Sequence, residues 1–564
     1  MRLEKLTVGS VKDSPSHQFK NLKNVTIDFD KDQCMTVVIG WNGTGKSNVL
    51  EALAIIFRDL IRKKHSPAFA FKLTYCMGAG DDLRRIYIDA DPDREKTAIL
   101  IRVEKMCKDK RDGLGSSILE GEEKSGESTL GVPVKLSVFL NSDGEYLPRY
   151  VFSYYSGDSS RMQNVFEPYL KDYYVNLLKS QVDPAPKRLF YALPVHSQFV
   201  LLAFLIQPDQ KVENFLTKEL GIDSNNGVES VLFVLREPPW ISKEGDPRFW
   251  YARGLVQRFL HRLMKASLAP IIIKRKFKKS IWNKYSSERE YQYLYVKDSE
   301  SLKKLVGEQP ANEFFRDLES TYVSELIEEV RIRVRLKAVD GSVTFRELSE
   351  GEQQLLTVLG LLRFTAQDES LFLLDEPDTH LNPRWCVDYL NYLKSFVDRD
   401  GDGSNNSHIV LTTHNPLTIA ELAKEQVQIF YRQKDTRTVH VGNPVVDPRG
   451  MGFANIVTSD MFGLGTSLDK STNDDLLVLH QLSVKQIPLS DSEQNELVEM
   501  RNRLERLDFN FASRDRLEQE YLRARFDLAA GNEIDGAIVT PENRTKALHA
   551  LMQGLIHNLR EGEK

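Results

Sequence analysis

The residues that most constrain the fold are Gly40-Trp41-Asn42-Gly43-Thr44-Gly45-Lys46-Ser47, which fit the pattern G-x-x-x-x-G-K-[ST]. An apolar run, CMTVVIG, leads into them. Behind them Val49, Leu50, Leu53, Ile56, Phe57 and Leu60 recur near helical spacing, which predicts a helix over 47–64. Strand, glycine loop and helix in that order make an anion cradle: glycines let successive N–H groups curl around a phosphate, and the helix offers its positive end. Gly40, Asn42, Gly43, Thr44, Gly45, Lys46, Ser47 and Asn48 are therefore the candidate contacts to a nucleotide, with Lys46 reaching the β- and γ-phosphates and Ser47 ligating Mg²⁺. ATP and Mg²⁺ are the cofactors this pattern implies.

The rest of the chain repeats the strand-and-helix theme. LEKLTV and NVTIDFD alternate as strands before the loop. RRIYIDA, TAILIRVE, VKLSVFL and RYVFSYYSG predict strands between about 84 and 155, interrupted by a polar stretch from Lys108 to Gly131; KRLFYALPVHSQ predicts another. From about 199 to 335 the pattern is mostly helical. QQLLTVLGLLRF predicts a helix, SLFLLDEP a buried strand, the segment with Trp385 and Tyr389 an amphipathic helix, and HIVLTTH a second buried strand. Continuously apolar strands alternating with helices imply an α/β chain with a largely parallel sheet covered on both faces, and nucleotide at the carboxyl ends of its strands.

Gross properties exclude several classes. With 564 residues the chain exceeds one ordinary core. A net charge of -5 rules out the whole chain as an electrostatic nucleic-acid binder and leaves only a local basic patch. Cys34, Cys76, Cys107 and Cys386 have no C-x-x-C spacing, so no zinc or redox motif is indicated. The N-terminus has no apolar core of a signal peptide, and the longest apolar stretch, 199–206, is far short of the roughly 20 residues of a membrane span. A cytoplasmic protein without a membrane partner is expected.

Three further segments carry chemistry. Asp375 and Glu376 end an apolar strand: Asp375 is placed to hold Mg²⁺ and Glu376 to take a proton from attacking water, although adjacent carboxylates at a strand end can also be plain solvated turn residues. His414 ends the next strand, where it caps the strand or senses a γ-phosphate. In Leu348-Ser349-Glu350-Gly351-Glu352-Gln353-Gln354, Ser349 and Glu352 have the spacing of a capping box. A serine, a glycine backbone and a helix N-terminus also form a second anion site, which is useful only if two copies meet.

The set GWNGTGKS, LSEGEQQ, LLDEPDTHLNP and TTHNP, in that order, resembles the ABC-type ATPase heads of RecF, SMC and OLD-family proteins over about residues 1–430. The resemblance implies an ABC-type P-loop head with a mostly parallel core sheet, an antiparallel β subdomain, a helical lid and a helical C-terminal tail. It implies a head-to-tail homodimer or higher oligomer with ATP sandwiched between the glycine loop of one copy and Ser349, Gly351 and Glu352 of the other. Pro377, Asp378, Thr379 and His380 match the loop that crosses such an interface. A glutamine is expected where the sheet passes into the lid; Gln198 fits that place, as a nucleotide and metal contact, and competes with the strand end YYSGDSSRM and its Arg161.

The predicted organisation is an N-terminal ATPase lobe (1–198), a helical lid (199–345), a C-terminal ATPase lobe (346–445) and a helical tail (446–564). A long coiled coil, a zinc hook and a Toprim-type acidic cluster have no counterpart in this pattern. The remaining resemblance is to ATPase subunits of bacterial anti-phage defence systems, PtuA-like ATPases of Septu systems first and the PARIS type second, which implies hydrolysis that controls a separate nuclease subunit. A RecF-like DNA-repair ATPase and a nucleotide-sensing scaffold with little turnover remain alternatives. Lys274-Arg275-Lys276-Phe277-Lys278-Lys279, followed by Trp282, reads either as a solvated face or as a DNA or RNA backbone contact. Asp398–Gly403 begins like a calcium loop, but Ile409 stands where the ligating glutamate belongs, so a solvated turn is expected. The tail from about Ser490 packs on its own head or docks a partner.

Overall fold

The structure, a computed structural model, describes residues 1–12, 14–30, 33–94, 97–106, 131–142, 144–179, 188–223, 227–240, 244–277, 287–337, 342–365, 369–397, 407–432, 438–484 and 490–505. Lys108–Leu130, Lys278, Lys279, Trp282, Asp398–Gly403 and the tail beyond 505 lie outside them. Two compact units form: Met1–Ile419 with Glu425–Gly442, and Ala420–Lys424 with Asn443–Lys564.

The first unit starts with β1 (Arg2–Val8), β2 (Val25–Asp28) and β3 (Met35–Gly40), then α1 (Lys46–Ile61). Next come β4 (Phe71–Met77), β5 (Arg84–Ala90), β6 (Ile99–Lys105), β7 (Val132–Pro133), α2 (Leu136–Asn141), β8 (Val151–Tyr155), α3 (Arg161–Lys179) and β9 (Leu189–Tyr191). An antiparallel sheet has the order β2-β1-β4-β5-β6-β7. Val49, Leu50, Leu53 and Phe57, on the inner face of α1, are fully buried in the same apolar cluster as Leu3, Leu6 and Leu73 of that sheet. The strand expected at VKLSVFL (134–140) is instead α2, and the strand pairing just before it is the two-residue β7. Pro133 has no N–H to extend the ladder, and Phe139 and Leu140 reach the core from a helix.

The next stretch holds α4 (His196–Ile206), α5 (Gln210–Lys218), β10 (Val228–Arg236), α6 (Gly254–Ala266), β11 (Ile271–Phe277), β12 (Ser287–Val296), α7 (Ser299–Val306), α8 (Ala311–Val323), β13 (Ile327–Arg335) and β14 (Ser342–Thr344). The expected helical pattern over 199–335 therefore needs correction: β10, β11, β12 and β13 lie within it and join β14 in a five-stranded antiparallel sheet, β11-β12-β10-β13-β14. The signal was period-two alternation. In EVRIRVR, Val330, Ile332 and Val334 are buried while Arg331, Arg333 and Arg335 face out. β-branched residues fit a pleated, half-buried surface, and charges on every second position exclude a helical apolar stripe.

The motifs sit on the last elements: α9 (Glu350–Thr365), β15 (Leu371–Asp375), α10 (Pro383–Val397), β16 (His408–Thr412), α11 (Pro416–Ile419), β17 (Val427–Arg432) and β18 (Val439–Gly442). The core sheet runs β18-β17-β3-β16-β15-β8-β9 and is parallel except for the β17–β18 pair. All five residues of β15 and of β16 are buried, as a sheet covered on both faces requires. Helix α4 lies so close to α9 that a Cβ on Gly360 would stand 2.0 Å from Val200 Cγ1.

His408 ties this sheet to the antiparallel one. Its Nδ1 accepts from Leu3 N–H at 3.3 Å, and its Nε2 lies 3.2 Å from Thr36 Oγ1. Burial, helped by the nearby N-terminal and Arg2 charges, pulls its imidazole down to about 3. The folded state therefore holds it neutral while the unfolded chain protonates it near 6.5. This contribution is fully present above pH 6.5 and is lost as pH falls from there toward 3, by at most about 1.4 kcal/mol per pH unit. Urea titrations at pH 7 and pH 5 should show this loss, and His408→Gln should shrink it; an unchanged pH slope would count against the assignment.

In the second unit, α12 (Phe453–Thr458) precedes α13 (Lys470–Val484) and α14 (Asp491–Glu505). Ser490 and Glu493 cap α14 reciprocally, the Glu493 carboxylate accepting from Ser490 N–H at 3.0 Å. Arg503 reaches from α14 to Asp475 of α13 at 3.2 Å.

Candidate functional site

The parallel register brings the motifs to one sheet edge. β3, β16 and β15 are adjacent, so Asp375 stands beside Thr412, Thr412 beside Val38, and Gly40 follows two residues on. Gly40 has φ 140°, and a Cβ on it would lie 2.2 Å from the Phe430 carbonyl oxygen of β17, so no other residue fits there without displacing that strand. Gly43 and Gly45 have φ 80° and 106° and turn the loop into α1. Asn21, which the sequence did not single out, steadies this turn: it donates to the Gly43 carbonyl at 3.2 Å and accepts from Asn48 at 2.6 Å.

Lys46 is buried and folded back on its own loop, with Nζ donating to the Gly40 and Trp41 carbonyls at 2.8 and 3.2 Å. Burial pulls its ammonium down to about 8, while Glu376 and Asp375 act to hold it up. Ser47 Oγ donates to Asp375 Oδ1 at 3.0 Å, and Thr412 Oγ1 donates to the same oxygen at 2.5 Å. The other oxygen, Oδ2, is buried without a hydrogen bond among the described residues; Arg161 Nη2 stands 4.0 Å away. Burial raises the Asp375 carboxyl, and the Glu376 charge adds to that shift.

Glu376 sits at φ +51°, a strained value for a side-chain-bearing residue. Its N–H is held by Thr412, and its carbonyl accepts from Thr379 Oγ1 at 2.9 Å. Its Oε1 is 3.0 Å from His414 Nε2, and this hydrogen bond holds the carboxyl below its usual range. Asp378 turns inward: it is buried and accepts from Thr413 and Thr418 at 2.6 and 2.5 Å, so it fixes the loop's shape from below.

Ser349 and Glu352 make the capping box at the start of α9, with the Glu352 carboxylate accepting from Ser349 N–H at 2.7 Å and from Ser349 Oγ at 2.8 Å. Gly351 lies where a Cβ would be 2.6 Å from the His380 carbonyl oxygen, so this glycine lets the loop after Glu376 approach the helix. An open cleft of about 810 Å³ runs along this edge. Its walls include Tyr155, Gln163, Glu350, Gln353, Glu376 and His380, but none of Gly40–Ser47.

Gln198 is not among the residues around Asp375. It stands in the first turn of α4, which follows β9, one strand further out than β8. β8 is the neighbour of β15, so the loop after Tyr155 reaches the carboxylates, and it brings Arg161 and Gln163. Arg161 also meets Glu51 at 3.1 Å and Asn48 at 3.4 Å. Thr412 and Thr413 escaped notice although both stand in TTHNP; two hydroxyls at a strand end opposite a carboxylate were the available signal.

The arrangement is that of a P-loop nucleotide site: a parallel sheet carries the phosphate loop on one strand and the paired carboxylates on the next but one. Residues 17–117 match the family described as AAA ATPase domain, and residues 233–420 the family described as AAA domain, putative AbiEii toxin, Type IV TA system. Over 163 residues the chain is 23% identical to the Septu protein PtuA of Bacillus mycoides (strain KBAB4); the match takes in 27% of this chain and 22% of that one, so it spans about a fifth of that relative's length. Among solved structures, the SMC head domain from Thermotoga maritima is similar with a TM-score of 0.30 at 11% identity, covering 79% of this chain and all of that one. The Smc head domain from Pyrococcus furiosus, solved with the C-terminal domain of ScpA, has a TM-score of 0.27 at 12% identity and covers 78% and 96%. Among the described residues no helix is long and apolar enough to cross a membrane.

Proposed function

We propose that the chain binds ATP with Mg²⁺ on Gly40–Ser47 and hydrolyses it in a head-to-tail pair of copies, and that this cycle controls a separate effector nuclease of a prokaryotic anti-phage defence system. The observation that carries the ATP reading is Asp375 Oδ2 beside Ser47, buried without a hydrogen bond and with Arg161 Nη2 no nearer than 4.0 Å. An ionised oxygen in that setting is unfavourable by several kcal/mol unless a cation compensates it. Ser47 and Asp375 are the residues that would hold Mg²⁺, which neutralises charge on the β- and γ-phosphates.

Lys46 then leaves the Gly40 and Trp41 carbonyls for phosphate oxygens. Glu376, ionised at neutral pH, accepts the proton of the attacking water, and His414 keeps its carboxylate aimed. Arg161 and Gln163, rather than Gln198, serve where the sheet meets the cleft. Ser349 and Gly351 act on the γ-phosphate held by the other copy; Asp378 shapes the crossing loop. The partition into lobes 1–198 and 346–445, an insertion 199–345 and a tail 446–564 is retained, with the tail as the docking segment.

Mixing tests the shared site. Lys46→Ala and Ser349→Arg proteins, each inactive alone, should regain turnover when combined, because one of the two mixed sites is intact. Absence of any recovery would sink the two-copy site. Purifying the chain with the products of its neighbouring genes and finding no nuclease in the complex would remove the effector part.

A further inference from the structure

The five-stranded sheet inserted between the two halves of the ATPase has one face on the core and one turned away. Helices α6, α7 and α8 pack against β12, β10 and β13, and the residues pointing at them, Val231, Phe233, Leu294, Val330 and Ile332, are buried. The register puts a different set on the opposite face. Arg275 faces Arg289, Ile273 faces Tyr291 and Ile271 faces Tyr293 across β11–β12. Tyr295 faces Leu232, which in turn faces Arg331, and Arg333 is one step further along β13. Tyr291, Tyr293 and Tyr295 thus form a ladder on a single strand, with arginines at both ends of it.

The ladder is reached from solvent at its Tyr295 end, while Tyr291 and Tyr293 are half-buried. Tyr295 is 40% exposed, and Ile271 and Ile273, beside it on the edge strand, are 55% and 40% exposed. Arg275 lies over the Tyr293 and Tyr291 rings at 5.2 and 6.0 Å, which adds a planar cation to the aromatic surface. Glu329 on this face is engaged by Arg331 and Arg346, and Arg236, opposite Tyr291, is engaged by Glu325 and Glu328. Among the described residues Arg333 and Arg335 have no ion-pair partner.

We propose that this face binds single-stranded nucleic acid, its bases stacking on Tyr291, Tyr293 and Tyr295 and its phosphates meeting Arg331, Arg333 and Arg275. The charge excess matches a polyanion, and rings at i, i+2 and i+4 of one strand, roughly 6.7 Å apart, suit successive unstacked bases. A duplex keeps its bases paired and presents only backbone, so it cannot use the ladder. Stacking on aromatic side chains with a positive surround is the general means of holding single strands without sequence preference. The face needs no nucleotide at Lys46, so this inference stands or falls independently of the ATPase reading.

The test is fluorescence anisotropy of the full chain with labelled oligothymidylate and oligouridylate of about 20 nucleotides, without ATP or Mg²⁺. Tyr293→Ser with Tyr295→Ser should weaken binding at least about tenfold. Arg331→Gln with Arg333→Gln, both at exposed sites, should weaken it and lower the slope of log affinity against log salt by about 1.4, from roughly 0.7 per phosphate contact on a single strand. Arg331→Lys with Arg333→Lys should restore the slope. Unchanged melting temperatures certify the fold of each variant. Equal affinities across the variants, no measurable binding, a duplex of the same length binding as tightly, or a ladder variant that instead splits an oligomer would each overturn the proposal.

Discussion

Replacing Glu376 by glutamine is expected to cut ATP turnover by about 10²–10⁴-fold, the usual contribution of a positioned general base, while leaving nucleotide affinity within a few-fold. Glutamine keeps the side chain's length and can still meet His414, which lies 3.0 Å from Glu376 Oε1. It cannot take a proton. The strained backbone at φ +51° is held by Thr412 and Thr379 through main-chain atoms, so the substitution leaves those anchors in place. With hydrolysis blocked, ATP should accumulate a particle of doubled mass, read by light scattering beside a phosphate-release assay. Equal turnover in both proteins would refute Glu376 as the base. A wild type that binds ATP but never turns it over would favour the nucleotide-sensing scaffold.

Replacing Asp375 by asparagine should act in opposite directions on stability and on activity. Burial raises the folded-state pKa of Asp375, so the ionised form is disfavoured by folding. That destabilisation is present above the raised pKa and fades as pH falls through it. Asparagine removes the charge and can still accept from Ser47 and Thr412, which now bond Oδ1. The free protein should therefore gain about 1–3 kcal/mol, the size of a buried uncompensated polar group in mutational data, and melt a few degrees higher. Turnover should be lost, because the remaining oxygen no longer carries charge for Mg²⁺. Mg²⁺ with a non-hydrolysable nucleotide should raise the wild-type melting temperature by mass action and leave the variant's nearly unchanged. A variant that melts lower without ligand, or responds to Mg²⁺ as the wild type does, would contradict this account of Oδ2.

Local chemistry explains what was readable in advance. Gly40–Ser47 is legible because a phosphate cradle needs those residue types consecutively, between a strand and a helix. Asp375 and Glu376 are legible because their strand is apolar to its last residue. Ser349 with Glu352 is a capping box at the spacing its sequence prescribes. The β10–β14 sheet was misjudged because an antiparallel strand with arginine on one face looks polar unless alternation is counted. The α2 helix was misjudged because a run such as VKLSVFL satisfies both periods, and a sheet neighbour must decide between them.

Gln198 shows the limit more sharply. Following a strand made it a credible contact, but which strand lies beside β15 is a matter of order in the sheet. The order β16-β15-β8-β9 puts β8, and the loop after it with Arg161 and Gln163, next to β15. By itself the sequence determined the phosphate loop, the paired carboxylates and the α/β class, since each depends on residues adjacent along the chain. Only the tertiary structure decided that Thr412 shares Asp375 with Ser47, that Asp375 Oδ2 is left without a hydrogen bond, and that three tyrosines line up beside arginines. Those facts depend on strand order and register, which set neighbours across hundreds of residues and leave no local trace.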